Sequence, residues 1–322
     1  MAGRQPIMRG QARMITIGFY GAAKEAAMWQ RTLAELVPDC QVVDLLSDRG
    51  RMCDVALVWA PPPNAFAGLP NLKAIILQGQ GVDHMMADET APRDVPLIRL
   101  VDPDMSDALS HWAILNALDF WRNGQHYRDQ QQQRKWTPLP QRRSRGGIVG
   151  VMGVGAIGSV IAGRFAALGF HVRGWARTPR ILDGVDIFAG MEGLDAFADG
   201  AEIIVSVLPL TPQTTAIMNK DFFGRLAKGA FIINGGRGPQ IDDDHLLAAL
   251  DSGQVGGAAL DVFRSEPLPA DHVFWSHPKI SVWQHVAAQT NPATAARQVA
   301  DAITAVMAGK EPANRVDWSR GY

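Results

Sequence analysis

The chain has 322 residues, 47% of them hydrophobic and 20% charged, with a formal net charge of −1. This length favours two domains of a soluble globular protein, and the near-zero charge gives no reason to expect nucleic acid or an anionic membrane as a partner. No apolar run reaches the ~18 residues of a membrane span. The two cysteines make neither a disulfide framework nor a metal site, so we expect no metal and a reducing, cytoplasmic compartment.

The first part of the chain predicts an α/β domain. Residues 1–13 have no apolar signal segment, and we expect a disordered extension there. Strands are predicted at Met14–Tyr20, Cys40–Asp44, Val55–Trp59, Leu72–Leu77 and Pro96–Leu100. Strands that alternate with helices, such as Ala22–Leu36, indicate a parallel, doubly wound sheet. The turn Gly18–Gly21 lacks dinucleotide-binding spacing and is interpreted as a plain strand-to-helix turn.

Two segments connect this domain to the next. Asp104–Trp121 predicts a long helix with too many apolar residues for one surface face, so we expect it to be buried on more than one side. Arg122–Arg145 is polar and charged, and we predict a long loop with a functional or interfacial role. The last helix, predicted over Thr290–Met307, is expected to return to the first domain. The predicted boundaries are therefore 1–105 plus 288–322, and 106–287.

The second domain opens on a glycine-rich turn. Gly153–Gly158 follows the G-x-G-x-x-G pattern between a predicted strand, Gly147–Met152, and a predicted helix, Ser159–Leu168. This strand–turn–helix context is typical of a dinucleotide site. Further strands are predicted at His171–Trp175, Ala201–Ser206, Ala230–Ile233, Gly257–Leu260 and Ile280–Val282.

Each glycine of the turn has its own expected task. Gly153 permits the tight turn, Gly155 lets the backbone approach a pyrophosphate, and Gly158 lets helix and strand pack closely. With Ala156 and Ile157 they bring the free N–H groups of the helix N-terminus towards the phosphates. We therefore expect residues 106–287 to form a Rossmann domain that binds NADP(H).

The cofactor preference follows from the end of the second strand of this domain. NAD-binding folds place an acid there to accept from the ribose hydroxyls, whereas this chain has Ala176, followed by Arg177, Thr178 and Arg180. Arginine offers charge-assisted donors to a 2′-phosphate, which a carboxylate would repel. The pattern favours NADP(H) over NAD(H). Solvated loop charges are the alternative interpretation of these arginines.

Three later strands end in chemically useful residues. Arg237 follows the first, Asp261 and Glu266 follow the second, and His285 follows the third. A guanidinium binds a carboxylate and polarises an oxo group, an imidazolium delivers a proton, and a carboxylate holds that imidazole and raises its pKa. Arg237, Glu266 and His285 are therefore the candidate catalytic residues for reduction of a 2-oxo acid.

With these motifs the sequence resembles the D-isomer-specific 2-hydroxyacid dehydrogenase family over nearly all of the chain after residue 13. The motifs are the glycine turn, the Arg, Glu and His segments, Leu57–Pro62, Gly79–Asp83, Trp136–Pro140, Leu208–Pro212 and Val316–Tyr322. The resemblance implies two doubly wound parallel-sheet domains, with the Rossmann coenzyme domain inserted into a flavodoxin-like substrate-binding domain. It also implies NADPH-dependent reduction of glyoxylate and hydroxypyruvate to glycolate and D-glycerate.

The resemblance further implies roles for individual residues. Asp261 would anchor the nicotinamide carboxamide, and Leu208 and Pro209 would lie by the adenosine end of the cofactor. The substrate would contact Trp59, Gly79, Gln80, Gly81, Arg237 and His285. Domain closure would complete the site. The chain would form a homodimer through the long helix and the arm after it, with Trp136 either in the neighbouring pocket or packed within the dimer.

Two departures from the family pattern bear on the substrate. Gln80 replaces a small residue between two glycines, and Trp283-Gln284 replaces the usual Thr-Pro before the histidine. Other functions remain open: a corepressor of the same fold that senses the nucleotide, or a 2-hydroxyacid dehydrogenase of different substrate range. Formate oxidation is disfavoured, because the formate branch has Gln at the position of Glu266 and an acid at that of Ala176.

Overall fold

A computed structural model describes residues 13–143 and 145–319. The chain divides into two compact units: unit 1 comprises residues 1–102 and 290–322, and unit 2 comprises residues 103–289. Residues 1–12 of the expected extension, and the last three residues of the Val316–Tyr322 motif, lie outside the described residues. Arg13, the last residue of that expected extension, forms an ion pair with buried Asp54 at 3.0 Å.

Unit 1 is built on a five-stranded parallel sheet. Its first elements are β1 (Ile15–Tyr20), α1 (Ala23–Ala34), β2 (Cys40–Asp44), β3 (Val55–Val58), β4 (Ala74–Leu77), α2 (Asp83–Ala87) and β5 (Leu97–Ile98). The strand order is β2-β1-β3-β4-β5, with every pair parallel. This is the flavodoxin-like order. The strands β3 and β4 are buried along their whole length, which explains their continuous apolar sequences.

Unit 2 is built on a seven-stranded parallel sheet. Its elements are α3 (Pro103–Trp121), α4 (Gly124–Gln132), β6 (Ile148–Met152), α5 (Ala156–Ala167), β7 (His171–Ala176), β8 (Val185–Ala189), α6 (Leu194–Ala198), β9 (Ile203–Ser206), α7 (Lys220–Arg225), β10 (Ala230–Asn234), α8 (Asp243–Asp251), β11 (Val255–Leu260) and β12 (Ile280–Val282). The order β12-β11-β10-β9-β6-β7-β8 is a Rossmann order with a seventh strand, and it reverses between β6 and β9. Ligands of such sheets bind beyond the carboxyl ends of the strands at that reversal.

The last helix, α9 (Pro292–Met307), is part of unit 1. It buries Ala295, Val299 and Ile303 in the same core as Trp29 and Leu33 of α1. The predicted fold class, two doubly wound parallel α/β sheets, is confirmed. In the described part of the chain, no helix is long and apolar enough to cross a membrane.

The helix α4 and the edge strand β8 differ from the sequence-based expectation, and the short helices α2, α6 and α7 were not predicted. The predicted loop Arg122–Arg145 contains α4, which has no buried residue and therefore no apolar periodicity to reveal it. Its contacts are polar: Arg128 donates two hydrogen bonds to Asp119, at 2.8 and 2.7 Å. The edge strand β8 was not predicted either, because it is only partly buried and has a charged Asp186 within it.

Candidate active site

The three glycines after β6 meet three different physical requirements. Gly153 has a φ of +92°, which L side chains rarely adopt. A Cβ on Gly158 would lie 1.8 Å from the carbonyl oxygen of Gly153, so only glycine fits there. A Cβ on Gly155 would meet no protein atom within 4 Å. Backbone conformation explains Gly153, and close packing within the protein explains Gly158. At Gly155 open space remains beside the main chain.

The helix that follows this turn has an open N-terminus. The first helical residue of α5 is Ala156, its N-cap is Gly155, and no side chain caps it. The first N–H groups of a helix have no partner within the helix, and they carry a partial positive charge that favours anions. Open space at Gly155 and uncapped N–H groups fit a dinucleotide pyrophosphate.

The segment Ala176–Arg180 lies directly beside the glycine turn. β6 and β7 pair with Met152 opposite Trp175, and the N–H of Gly153 donates to the carbonyl of Trp175 at 2.9 Å. Ala176 is the next residue, and Arg177, Thr178 and Arg180 follow it as exposed side chains. The guanidinium of Arg180 donates to the carbonyl of Val154 within the turn. The strand end that decides between ribose hydroxyls and a 2′-phosphate thus has two arginines and no acid.

The loop after β9 borders the same turn from the other side. A Cβ on Gly153 would lie 3.1 Å from the Leu208 side chain, so the two loops are in contact. Leu208 is buried and Pro209 is exposed. The hydroxyl of Thr214 donates to the carbonyl of Pro209 at 2.8 Å, within the same loop. Sequence reasoning missed Thr214, because a threonine in a polar segment does not reveal that its side chain is buried.

Glu266 and His285 form a hydrogen-bonded pair. Nδ1 of His285 lies 2.7 Å from Oε2 of Glu266, and Oε1 of the same carboxylate accepts from the N–H of Phe263 at 2.8 Å. Burial acts to raise the pKa of Glu266, but the hydrogen bonds from His285 and Phe263 outweigh it, so this pKa lies below its usual value. An ionised carboxylate only accepts, so Nδ1 has the proton in this bond and Nε2 is left for chemistry.

The electrostatics of His285 favour its protonated form. The hydrogen bond with Glu266 raises the pKa of His285 above its usual value, against burial and the positive charge of Arg237, which act to lower it. The backbone of His285 has a φ of +56°, a conformation that is uncommon for residues other than glycine and is found mostly where the surroundings enforce it.

Asp261 enforces the conformation of the histidine loop. Its Oδ1 accepts from the N–H groups of Val286 and Ala287 at 2.8 and 3.0 Å, and its carbonyl accepts from the N–H of His285 at 2.9 Å. The side chain is 2% exposed, and burial raises the pKa of Asp261 against those two hydrogen bonds. The structure therefore gives Asp261 a structural task that the sequence did not suggest.

Arg237 follows β10 in a loop that two buried side chains hold. Its N–H donates to Oε1 of Gln240 at 3.1 Å, and its carbonyl accepts from Nδ2 of Asn234 at 3.1 Å. The guanidinium donates to the carbonyl of Gly236 at 2.8 Å, and its charge acts on both Glu266 and His285. Unit 2 thus brings the three candidate catalytic residues together. Asn234 and Gln240 were missed because nothing in their sequence context distinguishes them from other polar loop residues.

The predicted substrate residues of unit 1 form a cluster of their own. A Cβ on Gly79 would lie 2.7 Å from the Trp59 ring, which packs on this loop and contacts the His84 ring with centroids 4.7 Å apart. Oε1 of Gln80 is buried without a hydrogen-bond partner among the described residues. Gly81 completes the loop before α2. Over residues 13–143 and 145–319, no group of three or more His, Cys, Asp or Glu side chains is arranged to hold a metal ion.

An open helix end at the reversal of a Rossmann sheet, with a histidine–carboxylate pair in the same unit, is typical of a dinucleotide-dependent oxidoreductase. Residues 114–287 match the family model "D-isomer specific 2-hydroxyacid dehydrogenase, NAD binding domain". The chain belongs to the D-isomer-specific 2-hydroxyacid dehydrogenase family, whose cofactor is a nicotinamide dinucleotide.

Named relatives and solved structures agree with this membership. The chain is 40% identical to a glyoxylate/hydroxypyruvate reductase A of Yersinia enterocolitica over 313 residues, which are 96% of this chain and all of that protein. A family member from Xanthobacter autotrophicus Py2 was solved with NADPH and MES. It superimposes on this chain with a TM-score of 0.91 and 38% identity, and the match covers 97% of this chain and 100% of that one. An NADPH-dependent glyoxylate/hydroxypyruvate reductase from Sinorhizobium meliloti, solved with NADP and sulfate, has a TM-score of 0.89 and 33% identity with the same coverage.

Proposed function

We propose that the protein is an NADPH-dependent reductase of small 2-oxo acids, which converts glyoxylate and hydroxypyruvate to glycolate and D-glycerate. The observation that carries this proposal is the 2.7 Å hydrogen bond between His285 Nδ1 and Glu266 Oε2 beside the charge of Arg237. The hydrogen bond raises the pKa of His285, which favours the protonated imidazole, and it orients the ring. The names of the relatives in Yersinia and Sinorhizobium support the choice of substrates.

Each side chain has one task in the proposed reaction. Arg237 binds the substrate carboxylate and polarises the oxo group, and Nε2 of His285 donates its proton to the oxo oxygen. Glu266 stays ionised and stabilises the imidazolium before that transfer. Asp261 keeps the histidine loop in place, and we propose that it also binds the carboxamide of the nicotinamide. When bound, NADPH supplies the hydride that the oxo carbon accepts.

The remaining binding residues follow the same proposal. The cofactor pyrophosphate binds at Gly153–Gly158, its 2′-phosphate at Arg177, Thr178 and Arg180, and its adenosine end beside Leu208 and Pro209. Trp59 and the loop Gly79–Gly81 contact the substrate, with main-chain N–H groups for its carboxylate. Two arginines and no acid beside the turn support NADP(H) over NAD(H). Steady-state kinetics with both cofactors test this preference, and an equal or higher kcat/KM with NADH contradicts it.

We also propose a homodimer through α3 and the arm that follows it. Within this segment Trp136 is 96% exposed, Leu115 is 58% exposed, and α4 has no buried residue. Large apolar side chains that a single chain leaves in solvent could be buried against a second copy. Sedimentation equilibrium of the full chain tests this proposal, and a monomer at micromolar concentration contradicts it.

The activity itself is tested by NADPH oxidation in the presence of glyoxylate, hydroxypyruvate and bulkier 2-oxo acids. We expect His285→Ala to lower kcat by about 10²–10⁴-fold, the usual contribution of a positioned acid or base. NADPH binding, measured by its fluorescence, should be retained. His171→Ala is the matched control, because His171 pairs with Asp186 on the surface of the same unit. Wild-type turnover in His285→Ala contradicts the proposal, and so does a wild-type chain that binds NADPH without turnover.

The pH dependence tests the role of Glu266 separately. Reduction needs protonated His285, and the hydrogen bond with Glu266 raises the pKa of that histidine. The kcat/KM for reduction should therefore be high at low and neutral pH and fall as the pH rises through the raised pKa. Glu266→Gln removes the main cause of the raised pKa, so the fall should occur at lower pH. A fall at the wild-type pH in this variant would show that Glu266 does not set the pKa of His285.

A further inference from the structure

Gln240 is a fully buried amide side chain in the short turn after Arg237. Its relative exposure is 0%. Oε1 accepts from the N–H of Arg237 at 3.1 Å and from the hydroxyl of Ser206 at 3.2 Å. Nε2 donates to the carbonyls of Leu208 and Pro209 at 2.8 and 3.1 Å. Both ends of the amide are fully used, and the donor and acceptor partners fix which end is which.

These four hydrogen bonds join two loops with different proposed ligands. One end of the amide holds the main chain of Arg237, the proposed substrate residue. The other end holds Leu208 and Pro209, the proposed adenosine side of the cofactor site. The two loops are tightly packed at this point. A Cβ on Gly236 would lie 2.5 Å from Oε1 of Gln240 and 3.0 Å from the carbonyl oxygen of Leu208.

Movement of either loop is costly unless the other loop follows. Separation of Leu208 from Gln240 would leave a buried carbonyl without a donor, and rotation of the amide would remove the acceptor from the N–H of Arg237. The carbonyl of Arg237 is fixed as well, by Asn234 at 3.1 Å. The amide therefore acts as a rigid link between the cofactor loop and the substrate arginine.

We propose that Gln240 is a positioning residue that couples dinucleotide binding at Leu208–Pro209 to the orientation of Arg237. The inference rests on the proposed function, since it takes Arg237 as the substrate-binding residue. Cofactor binding that settles the Leu208–Pro209 loop also settles Arg237, so the carboxylate ligand binds more tightly to the cofactor complex than to the free protein. Such coupling is reciprocal, and each ligand increases the affinity for the other by the same factor.

The coupling is measured with NADP⁺ and oxalate, a planar dicarboxylate that imitates a carboxylate beside an oxo group. Calorimetric titration of oxalate into free and NADP⁺-saturated protein gives the coupling factor, for which about 5–150-fold is typical. In Gln240→Met, which keeps the side-chain volume but removes all four hydrogen bonds, we expect this factor to fall about tenfold, whereas the Kd of oxalate for free protein should change less. The KM for glyoxylate should rise together with the loss of coupling.

Ser206→Ala is the matched control. It removes one hydrogen bond to the same oxygen of Gln240 and leaves the link between Arg237 and Leu208 intact. Its coupling factor should stay at the wild-type value. An unchanged factor in Gln240→Met overturns the inference, and so does an equal loss in Ser206→Ala, because that result would indicate a general loss of packing.

Three further outcomes complete the test. If Gln240→Met shows no cooperative thermal transition, Gly236→Ala is used instead. The Cβ of the new alanine would displace the side-chain amide of Gln240, which is still present, so we expect the same loss of coupling. A wild-type protein that neither turns over 2-oxo acids nor binds oxalate refutes the proposed function, and the inference with it. An active wild-type protein with unchanged coupling in these variants overturns the inference alone.

Discussion

The first strand-to-helix turns of the two units occupy the same place in a doubly wound sheet, but their helix ends differ. In unit 1, Glu25 is the third residue of α1, and its carboxylate accepts from the N–H of Ala22 at 3.3 Å. In unit 2, the third residue of α5 is Gly158, and no side chain caps the helix. The helix in unit 1 closes its N-terminus with its own negative charge, and the helix in unit 2 leaves its N-terminus open.

This difference shows that the fold provides a helix end in both units but prepares only one for an anion. A carboxylate in the first turn satisfies a free N–H and compensates the helix dipole, and it repels a phosphate. Glycine at the same position leaves the N–H groups free and brings no negative charge. It also allows close packing against the carbonyl of Gly153. The third position of the helix is therefore one of the differences between a turn that satisfies its own N–H groups and one that is suited to a dinucleotide.

Gly158→Ala should have the largest effect on this comparison. The new Cβ would lie 1.8 Å from a main-chain oxygen, which cannot move aside as a flexible side chain can. Overpacking of this kind costs about 1–3 kcal/mol, and a main-chain clash lies at the upper end. We expect a lower Tm and loss of measurable NADPH binding.

Gly163→Ala is the control for that variant, because it adds a methyl group to the same helix with no atom within 4 Å. It should stabilise α5 by roughly 0.5–1 kcal/mol, since alanine replaces glycine inside a helix. A wild-type Tm and cofactor affinity in Gly158→Ala would contradict the steric argument.

Gly155→Ala should separate ligand binding from folding. Its Cβ would meet no protein atom, and its φ of −79° is accessible to alanine, so the Tm should stay at the wild-type value. The methyl group would occupy the space that the pyrophosphate needs. Loss of one hydrogen bond to a charged phosphate costs ~1.5–3 kcal/mol, or about 10–150-fold in the Kd of NADPH. An unchanged Kd measured by NADPH fluorescence would show that the phosphates do not approach this residue.

The sequence predicted the glycine turn well because the turn is local. Gly153, Gly155 and Gly158 act within six consecutive residues, and the flanking strand and helix have clear apolar patterns. The fold class followed for the same reason, since alternating strands and helices determine a parallel sheet. The family resemblance placed Glu266 and His285 in one site, and the structure shows them in contact at 2.7 Å.

The sequence did not reveal the side chains that hold the site together. Asp261 fixes the histidine loop through main-chain groups 24 to 26 positions away. Gln240 holds the main-chain N–H of Arg237, three positions away, together with the carbonyl of Leu208, 32 positions away. Main-chain partners leave no trace in residue types. The helix α4 was missed for a different reason, because its contacts are polar and its exposed faces have no period to detect.

Glu25→Gln should have the smallest effect and tests the comparison from the side of unit 1. The variant keeps the length of the side chain and an acceptor for the N–H of Ala22, but it removes the negative charge from the first turn of α1. We expect a loss of about 0.3–1 kcal/mol in stability at low ionic strength, decreasing as salt screens the interaction.

Glu35→Gln is the matched control at the C-cap of the same helix, where a negative charge is unfavourable, so it should stabilise by a similar amount. Chemical denaturation at two salt concentrations measures both, and effects of equal sign would show that the helix dipole does not explain the role of Glu25.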